Sequence, residues 1–93
     1  MIVRFYITAS AQQKFGNWMK NKELSGHVPT IAWTGDAKGK NWEWSVGTYI
    51  RNEVPASALI IIEGIEFAID PSLHSRLEGK TLDYVNGYFF VRD

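Results

Sequence analysis

Residues 42–51, WEWSVGTYIR, are the stretch of sequence that decides the fold class. Its even positions carry the large or β-branched side chains: Trp42, Trp44, Val46, Thr48 and Ile50. An alternation of period two over ten residues is typical of a β-strand that turns one face to the protein interior. We therefore expect a long strand here and a fold built mainly from β-structure.

Further β-rich runs lie on both sides of this strand. They occupy residues 2–7, 31–33, 58–62, 65–70, 81–85 and 88–91. The run 58–62 is continuously apolar, which predicts a strand buried on both faces. The dipeptides Glu63-Gly64 and Asn86-Gly87 separate neighbouring runs, and each predicts a tight hairpin turn. Hairpins of this kind favour an antiparallel arrangement.

The first of two predicted helices covers residues 9–21. Thr8 stands where its hydroxyl can cap the first turn, and Ser10 with Gln13 offers a capping box. Apolar residues then recur at helical spacing, at Ala11, Phe15, Trp18 and Met19. This stripe predicts an amphipathic helix packed on the sheet.

The second predicted helix is short. Asp70 is placed to cap it and Pro71 suits its first turn. Leu73 and Leu77 lie one helical turn apart, and Gly79 follows as a typical C-terminal glycine. The sequence thus predicts an α+β, mainly β, fold: a small antiparallel sandwich or open barrel with an N-terminal helix and a short second helix.

Composition limits the classes of protein to which the chain can belong. Its 93 residues suit one domain spanning 1–93, and 45% hydrophobic with 22% charged residues is typical of a folded globular protein. Ten basic residues balance ten acidic ones, which argues against nucleic-acid binding. The longest apolar run has five residues, too few for a membrane span. With no secretory signal pattern, we expect a cytoplasmic protein.

Three segments together resemble a known family. They are ITASA at 7–11, EGIEFAIDP at 63–71 and LEGKTLDYV at 77–85. In this order they resemble the HesB-like (IscA-like) family of A-type iron–sulfur carriers. The resemblance is good over residues 57–91, fair over 7–19 and poor over 20–50. It implies the HesB-like version of the fold described above.

The same resemblance sets the functional expectation. The family binds its cluster through three cysteines, and this chain has none. We therefore expect a degenerate, cysteine-free member without a cofactor that acts as a small protein- or ligand-interaction module. The alternative is an iron–sulfur assembly or metal-handling accessory protein that uses ligands supplied by a partner. A protein partner and a homo-oligomer both remain open.

The predicted recognition surface is aromatic and basic. Trp33, Trp42 and Trp44 cluster around the loop that contains Lys38 and Lys40. Aromatic side chains can stack on a ligand or a partner. A small protein can equally need these indoles in its core, so both interpretations of Trp42 and Trp44 stay open at this stage.

Other candidate sites are weak. The two histidines, His27 and His74, lie far apart in sequence and match no ligand motif, so we expect no metal site. Residues 35–41, GDAKGKN, are one residue too short between the glycines for a phosphate loop and predict a mobile surface loop. No catalytic serine motif is present, and we expect that the protein is not an enzyme.

Overall fold

The structure is a computed structural model that describes residues 4–93. Its strands and helices follow one another as β1 (Tyr6–Ile7), α1 (Ala9–Lys20), β2 (His27–Thr34), β3 (Glu43–Ile50), β4 (Leu59–Ile62), β5 (Ile65–Ala68), α2 (His74–Leu77), β6 (Thr81–Val85) and β7 (Tyr88–Arg92). The α+β, mainly β, fold class is confirmed.

The strands form two sheets. One has the order β3-β2-β5-β4 and the other the order β1-β6-β7. Both are mixed, because β2 pairs with β5 in parallel and β1 pairs with β6 in parallel. Antiparallel pairing still dominates, as predicted, because β2–β3, β4–β5 and β6–β7 are antiparallel, and the two parallel pairs are short additions that the hairpins do not indicate. Tight turns report only on strands adjacent in sequence, whereas parallel pairs need long crossover connections.

The core lies between the sheets and under α1. Its largest fully buried side chains include Phe15 of the helix, Phe67 of β5 and Leu82 of β6. The Phe15 ring meets the Phe67 ring edge-on at 5.1 Å between centroids and stacks on Phe89 at 4.8 Å. The helix thus joins the two sheets through one aromatic ring.

The start of α1 agrees with the prediction in its cap but not in its capping box. The Thr8 hydroxyl accepts a hydrogen bond from the Ala11 amide at 3.3 Å. Ser10 does not form a capping box with Gln13. Its hydroxyl instead donates to the Asp83 carboxylate and the Tyr84 carbonyl on β6. The partners of this hydroxyl lie 73 and 74 residues away in the sequence, so local spacing cannot indicate them.

The apolar stripe of α1 is buried for part of its length. Ala11 and Phe15 are fully buried and Trp18 packs against the core, whereas Met19 is 47% exposed.

Strand β4 differs from its prediction. It was expected to be buried on both faces, but it is the edge strand of its sheet, and Ile61 is 70% exposed. Ile60 and Ile62 pack toward the core. The strand is therefore buried on one face only, and the continuous apolar run reflects an uncovered outer face.

Strand β2 is longer than the predicted 31–33. It begins at His27, so part of the expected connection over 22–30 is a strand that pairs along its length with β3. Pro29 lies inside it, opposite Thr48, and is buried. The ladder to β5 consists of one pair, Thr30 with Ala68, so the missing proline N–H interrupts little pairing.

The predicted turns are confirmed. Glu63-Gly64 and Asn86-Gly87 both have positive φ at two successive residues, between +53° and +84°, as a type I′ hairpin turn requires. Asp70 caps the second helical region by accepting from the Ser72 amide at 2.9 Å. Part of the predicted first strand, residues 2 and 3, lies outside the described residues.

Candidate functional site: a tryptophan-lined groove

The β2–β3 hairpin brings Trp33 and Trp44 together as a cross-strand pair. They are register partners, and their ring centroids lie 4.9 Å apart at 60°. Both side chains are half-buried, and Trp44 also packs against the core. Register partners lie on the same face of a sheet, so both indoles lie on the inner face, at the loop end of the hairpin.

Trp42 extends this cluster beyond the end of β3. Its ring lies within 15° of parallel to the Trp33 ring, with centroids 6.5 Å apart. The indole Nε1 donates to the Gly39 carbonyl at 3.0 Å, and the ring rests on Gly35, where an added Cβ would lie 2.8 Å from it. Trp42 is held in a defined position although 52% of it is exposed.

The loop between β2 and β3 is closed on itself by Asp36. The Asp36 Oδ1 accepts from the backbone amides of Lys38 and Lys40, each at 2.9 Å, and Oδ2 accepts from Asn41 Nδ2 at 2.8 Å. The Lys40 amide is the largest of the causes that lower the pKa of Asp36. Two amide groups that a bound phosphate would need therefore already donate to the Asp36 carboxylate. The phosphate-loop interpretation fails for this reason.

The tryptophan groove is completed by the last strand. It is an open cleft of about 400 Å³ lined by Trp33, Trp42, Glu43, Trp44, Phe89, Phe90 and Val91. Strands β3 and β7, edge strands of different sheets, approach each other here. The groove is therefore the opening between the two sheets at the tryptophan end of the molecule.

Sequence analysis missed part of this groove. The sequence predicts only a hairpin strand at Phe89, Phe90 and Val91, and it gives no sign that Arg76 lies nearby. The Arg76 guanidinium lies 5.7 Å from the centroid of the Trp33 ring, within the range of a cation–π contact. These contacts join segments more than forty residues apart, and no local sequence pattern indicates them.

The five residues of the predicted recognition surface separate into two sets. Trp33, Trp42 and Trp44 come together in the groove. Lys38 and Lys40 are exposed on the adjoining loop and do not line it. The choice between core and surface has no single answer, because Trp44 contributes to the core while Trp42 is mostly exposed. The recognition role of these residues stays a prediction.

Two of the three indole N–H groups of these tryptophans form no hydrogen bond among the described residues and are not buried. Within residues 4–93, the Nε1 atoms of Trp33 and Trp44 donate no hydrogen bond, and neither is a buried atom lacking a partner. Only Trp42 uses its Nε1, on Gly39. An indole N–H can only donate, so a ligand that contacts either group must supply an acceptor.

A second polar cluster fixes the fold. The Asp83 carboxylate accepts from the Thr8 hydroxyl at 2.8 Å, from Ser10, and from its neighbour's amide, and it lies 3.5 Å from Arg92. The Thr8 hydrogen bond is the main cause of the lowered pKa of Asp83. This cluster connects the start of α1 to β6, and none of its residues lines the tryptophan groove.

Two further clefts lie elsewhere. One, of about 280 Å³, lies between Tyr49, Ala68 and the crossover segment 53–58. The other, of about 310 Å³, lies beside α1 and includes His27. Neither brings together several charged side chains.

The histidines do not assemble into a site. His27 Nδ1 lies 3.3 Å from the Ser25 carbonyl, and His74 Nε2 is buried without a hydrogen-bond partner in the described residues. Within residues 4–93, no group of three or more His, Cys, Asp or Glu side chains is placed to hold a metal ion. The described part of the chain also has no helix long and apolar enough to cross a membrane.

Comparisons with known proteins support the fold and go no further. No family profile and no curated protein matches the sequence. Among solved structures, the chain is similar to a protein from Aquifex aeolicus solved by solution NMR, with a TM-score of 0.69 and 20% identity. The alignment covers all of this chain and 94% of that one. The resemblance to the A-type iron–sulfur carriers stays a prediction.

Proposed function

We propose that the protein is a small interaction module that binds a proline-rich, extended segment of a partner protein in the tryptophan groove. The observation that carries this proposal is the groove itself: three indoles and Phe89, Phe90 and Val91 line one open cleft. Aromatic-lined grooves are the usual docking sites for polyproline II segments.

The hydrogen-bonding groups of the groove match this kind of ligand. Trp33 and Trp44 present unused N–H donors, as described above. A proline-rich segment offers carbonyl acceptors and few amide donors, because each proline lacks an N–H group. An extended polyproline II chain also carries no internal hydrogen bonds, so its carbonyls are free to accept.

The groove is ordered before any ligand arrives. Trp42 is held by its bond to Gly39 and by its contact with Gly35, and it lies nearly parallel to Trp33. Side chains that are already fixed lose little conformational entropy on binding. A polyproline II ligand is likewise stiff, so neither partner has much to lose.

The Glu43 end of the groove favours a basic residue in the ligand, whereas the Arg76 guanidinium lies against Trp33. Glu43 lines the cleft and is exposed, and no ion pair to it occurs within residues 4–93. A Lys or Arg that flanks the prolines would form an ion pair with this carboxylate. We therefore expect an arginine next to the proline run to raise affinity and to fix the direction of the chain.

The test uses a synthetic probe. A peptide of eight prolines followed by arginine is titrated against the protein, with indole N–H resonances followed by NMR and a glycine–serine peptide of equal length as the negative probe. The Trp33 and Trp44 signals should shift, and Trp42→Ala should weaken binding by about tenfold, the loss expected for an aromatic anchor. Tyr49→Ala is the matched control, since Tyr49 is 56% exposed and lies outside the groove.

Two outcomes contradict the proposal. Equal shifts with the glycine–serine peptide would show that the groove has no preference for proline. Equal binding by the wild type and the Trp42→Ala variant would place the contact elsewhere on the surface. Melting temperatures of both variants serve to exclude unfolding as the cause.

The remaining functional expectations are independent of this proposal. A cysteine-free HesB-like origin, a non-enzymatic role and a cytoplasmic location stay predictions. So does the alternative, an accessory protein for iron–sulfur assembly with partner-supplied ligands. Anaerobic mixing with ferrous iron and sulfide tests that alternative, because it requires a stable visible chromophore only when an added thiol supplies the ligands.

A further inference from the structure

Strand β4 has one open edge, with which no other strand of the described residues pairs. In the four-stranded sheet, β4 is hydrogen-bonded to β5 and to no other strand among the described residues. Its four residues are Leu59, Ile60, Ile61 and Ile62. An exposed edge of this composition is a template for pairing with another strand.

The edge strands of the molecule differ in how they discourage such pairing. Strand β3 carries Glu43 and Gly47, β7 carries Arg92 and approaches β3, and β1 has two residues. Charges, short length and covering are the common means by which proteins protect an edge. Strand β4 has no charge, no proline and no glycine, so it lacks the sequence features that protect the others.

The hairpin geometry decides which peptide groups face the open edge. A two-residue type I′ turn makes its flanking residues, Ile62 and Ile65, a hydrogen-bonded pair, and pairing then alternates along the strand. The Ala58 carbonyl accepts from the Ile69 amide at 2.8 Å, which confirms which residues of this strand bond to β5. The N–H and C=O of Ile61 therefore point away from β5.

Leu59 adds one more open group. Its N–H donates to the Ala56 carbonyl in the preceding turn, which leaves its C=O facing outward. The edge thus offers one donor and two acceptors over three residues. An antiparallel partner centred on Ile61 uses both groups of Ile61.

We infer that the protein self-associates through β4, with two copies pairing antiparallel about a two-fold axis at Ile61. In this register Ile61 lies opposite Ile61 of the second copy, and each N–H donates to the other's carbonyl. Ile60 pairs with Ile62, and Leu59 pairs with Glu63. The two four-stranded sheets become one sheet of eight strands.

A second copy fits this edge, because its own β4 offers the same donor and acceptors and neither strand carries a charge. Residues 54–62 carry no charge, and the whole chain has as many basic as acidic residues, so two copies approach without net repulsion. The two Glu63 carboxylates lie at opposite ends of the five-residue seam in this register. The apolar outer face of Ile61, 70% exposed in one chain, is buried against its counterpart.

The seam is short, and the dimer should be weak. Standard interfaces bury roughly 800 Å² on each partner, which five paired residues do not reach. We expect a dissociation constant on the order of 100 μM. Because the tryptophan groove lies at strands β3 and β7, pairing through β4 leaves that groove open on both copies.

Sedimentation equilibrium between 10 μM and 1 mM tests the association. The full chain should shift from monomer to dimer, and Ile61→Lys should weaken the dimer by at least about tenfold, because it places two ammonium groups face to face. Val85→Lys is the matched control, a β-branched, 45% exposed strand residue on the other sheet, and it should leave the dimer unchanged. Ile61→Thr keeps the branched side chain and gives a smaller loss, which covers the case in which the lysine variant does not fold.

Amide hydrogen exchange tests the register. The Ile61 N–H should exchange roughly three- to fivefold more slowly at 1 mM than at 10 μM, following the dimer population, while Ile60 and Ile62 stay protected at both. A monomer at 1 mM would overturn the inference. So would Ile61 protection that does not depend on concentration, which would show that the edge is already covered within one chain.

Discussion

Two aromatic clusters of this protein differ in how far their innermost and outermost rings are exposed. The core cluster consists of Phe15, Trp18, Phe67 and Phe89, with Phe15 meeting each of the other three rings at 4.8–5.5 Å. The tryptophan groove has neighbouring rings at 4.9 and 6.5 Å, and its outermost indole is half exposed. Ring–ring contacts alone therefore do not make a core.

The difference lies in what covers each cluster. Helix α1 lies over the first cluster and supplies Phe15 and Trp18 to it. The second cluster is bordered by the closed loop at 35–41 and by the Arg76 guanidinium. Phe89 joins the two, because it stacks on Phe15 and also lines the groove. The groove is thus an uncovered extension of the core, with a rigid side that the core itself holds in place.

The largest expected effect follows from removing the centre of the covered cluster. Phe15→Ala should lower the free energy of unfolding by about 3–5 kcal/mol, because it removes a fully buried ring and leaves a cavity. In a domain whose total stability is on the order of 5 kcal/mol, this substitution should leave much of the protein unfolded. Urea denaturation measures the loss. Met19→Ala, on the exposed part of the same helix, is the control, and a loss below about 1 kcal/mol for Phe15→Ala would contradict the role given to α1.

An intermediate effect should come from Trp44, which lines the groove and also packs against the core. Trp44 is half-buried and packs on the core, so Trp44→Ala should cost about 2 kcal/mol, the scale of burying one large side chain. Trp42→Ala should cost less than about 1 kcal/mol, since half of the indole is already in water. The same urea titration compares the two variants. Equal losses would show that the groove is part of the core after all.

Much of the local structure could be predicted from the sequence. The Thr8 and Asp70 caps and both type I′ turns depend on side-chain chemistry within a few residues, so the local pattern contains the information. The parallel pairing of β2 with β5 and the edge position of β4 depend on how distant segments meet. Those features could not be predicted: β4 was wrongly expected to be buried on both faces, and the two parallel pairs were not foreseen.

The candidate site shows the same limit. The alternation in β3 indicated Trp42 and Trp44 as one group, and Trp33 follows from the hairpin register. Phe89 and Arg76 reach the groove through contacts between sheets and helices that no short motif indicates. Residues 35–41, GDAKGKN, were predicted as a mobile surface loop, and the Asp36 hydrogen bonds that close it were not foreseen.

The smallest expected effect concerns that carboxylate, which supports the exposed cluster and not the covered one. Hydrogen bonds from the Lys40, Asn41 and Lys38 groups lower the pKa of Asp36 below its ordinary value of 3.8. A lowered pKa means that the loop favours the charged form. Its support is therefore complete above the ordinary value and is lost as the pH falls through the lower, folded-state value. Acidification below about pH 4 should loosen Trp42 through its bond to Gly39.

Asp36→Asn tests this without acid. The neutral amide keeps one acceptor but loses the charge, and charge-assisted hydrogen bonds are about twice as strong as neutral ones, so the Trp42 indole N–H should exchange roughly threefold faster at pH 7. The Trp18 indole N–H should not change, because it lies in the covered cluster. Asp93→Asn is the control, since Lys80 lowers the pKa of Asp93 and neither residue lines the groove. If Trp42 and Trp18 respond alike, the loop is not a separate support, and the contrast between the two clusters does not extend to their dynamics.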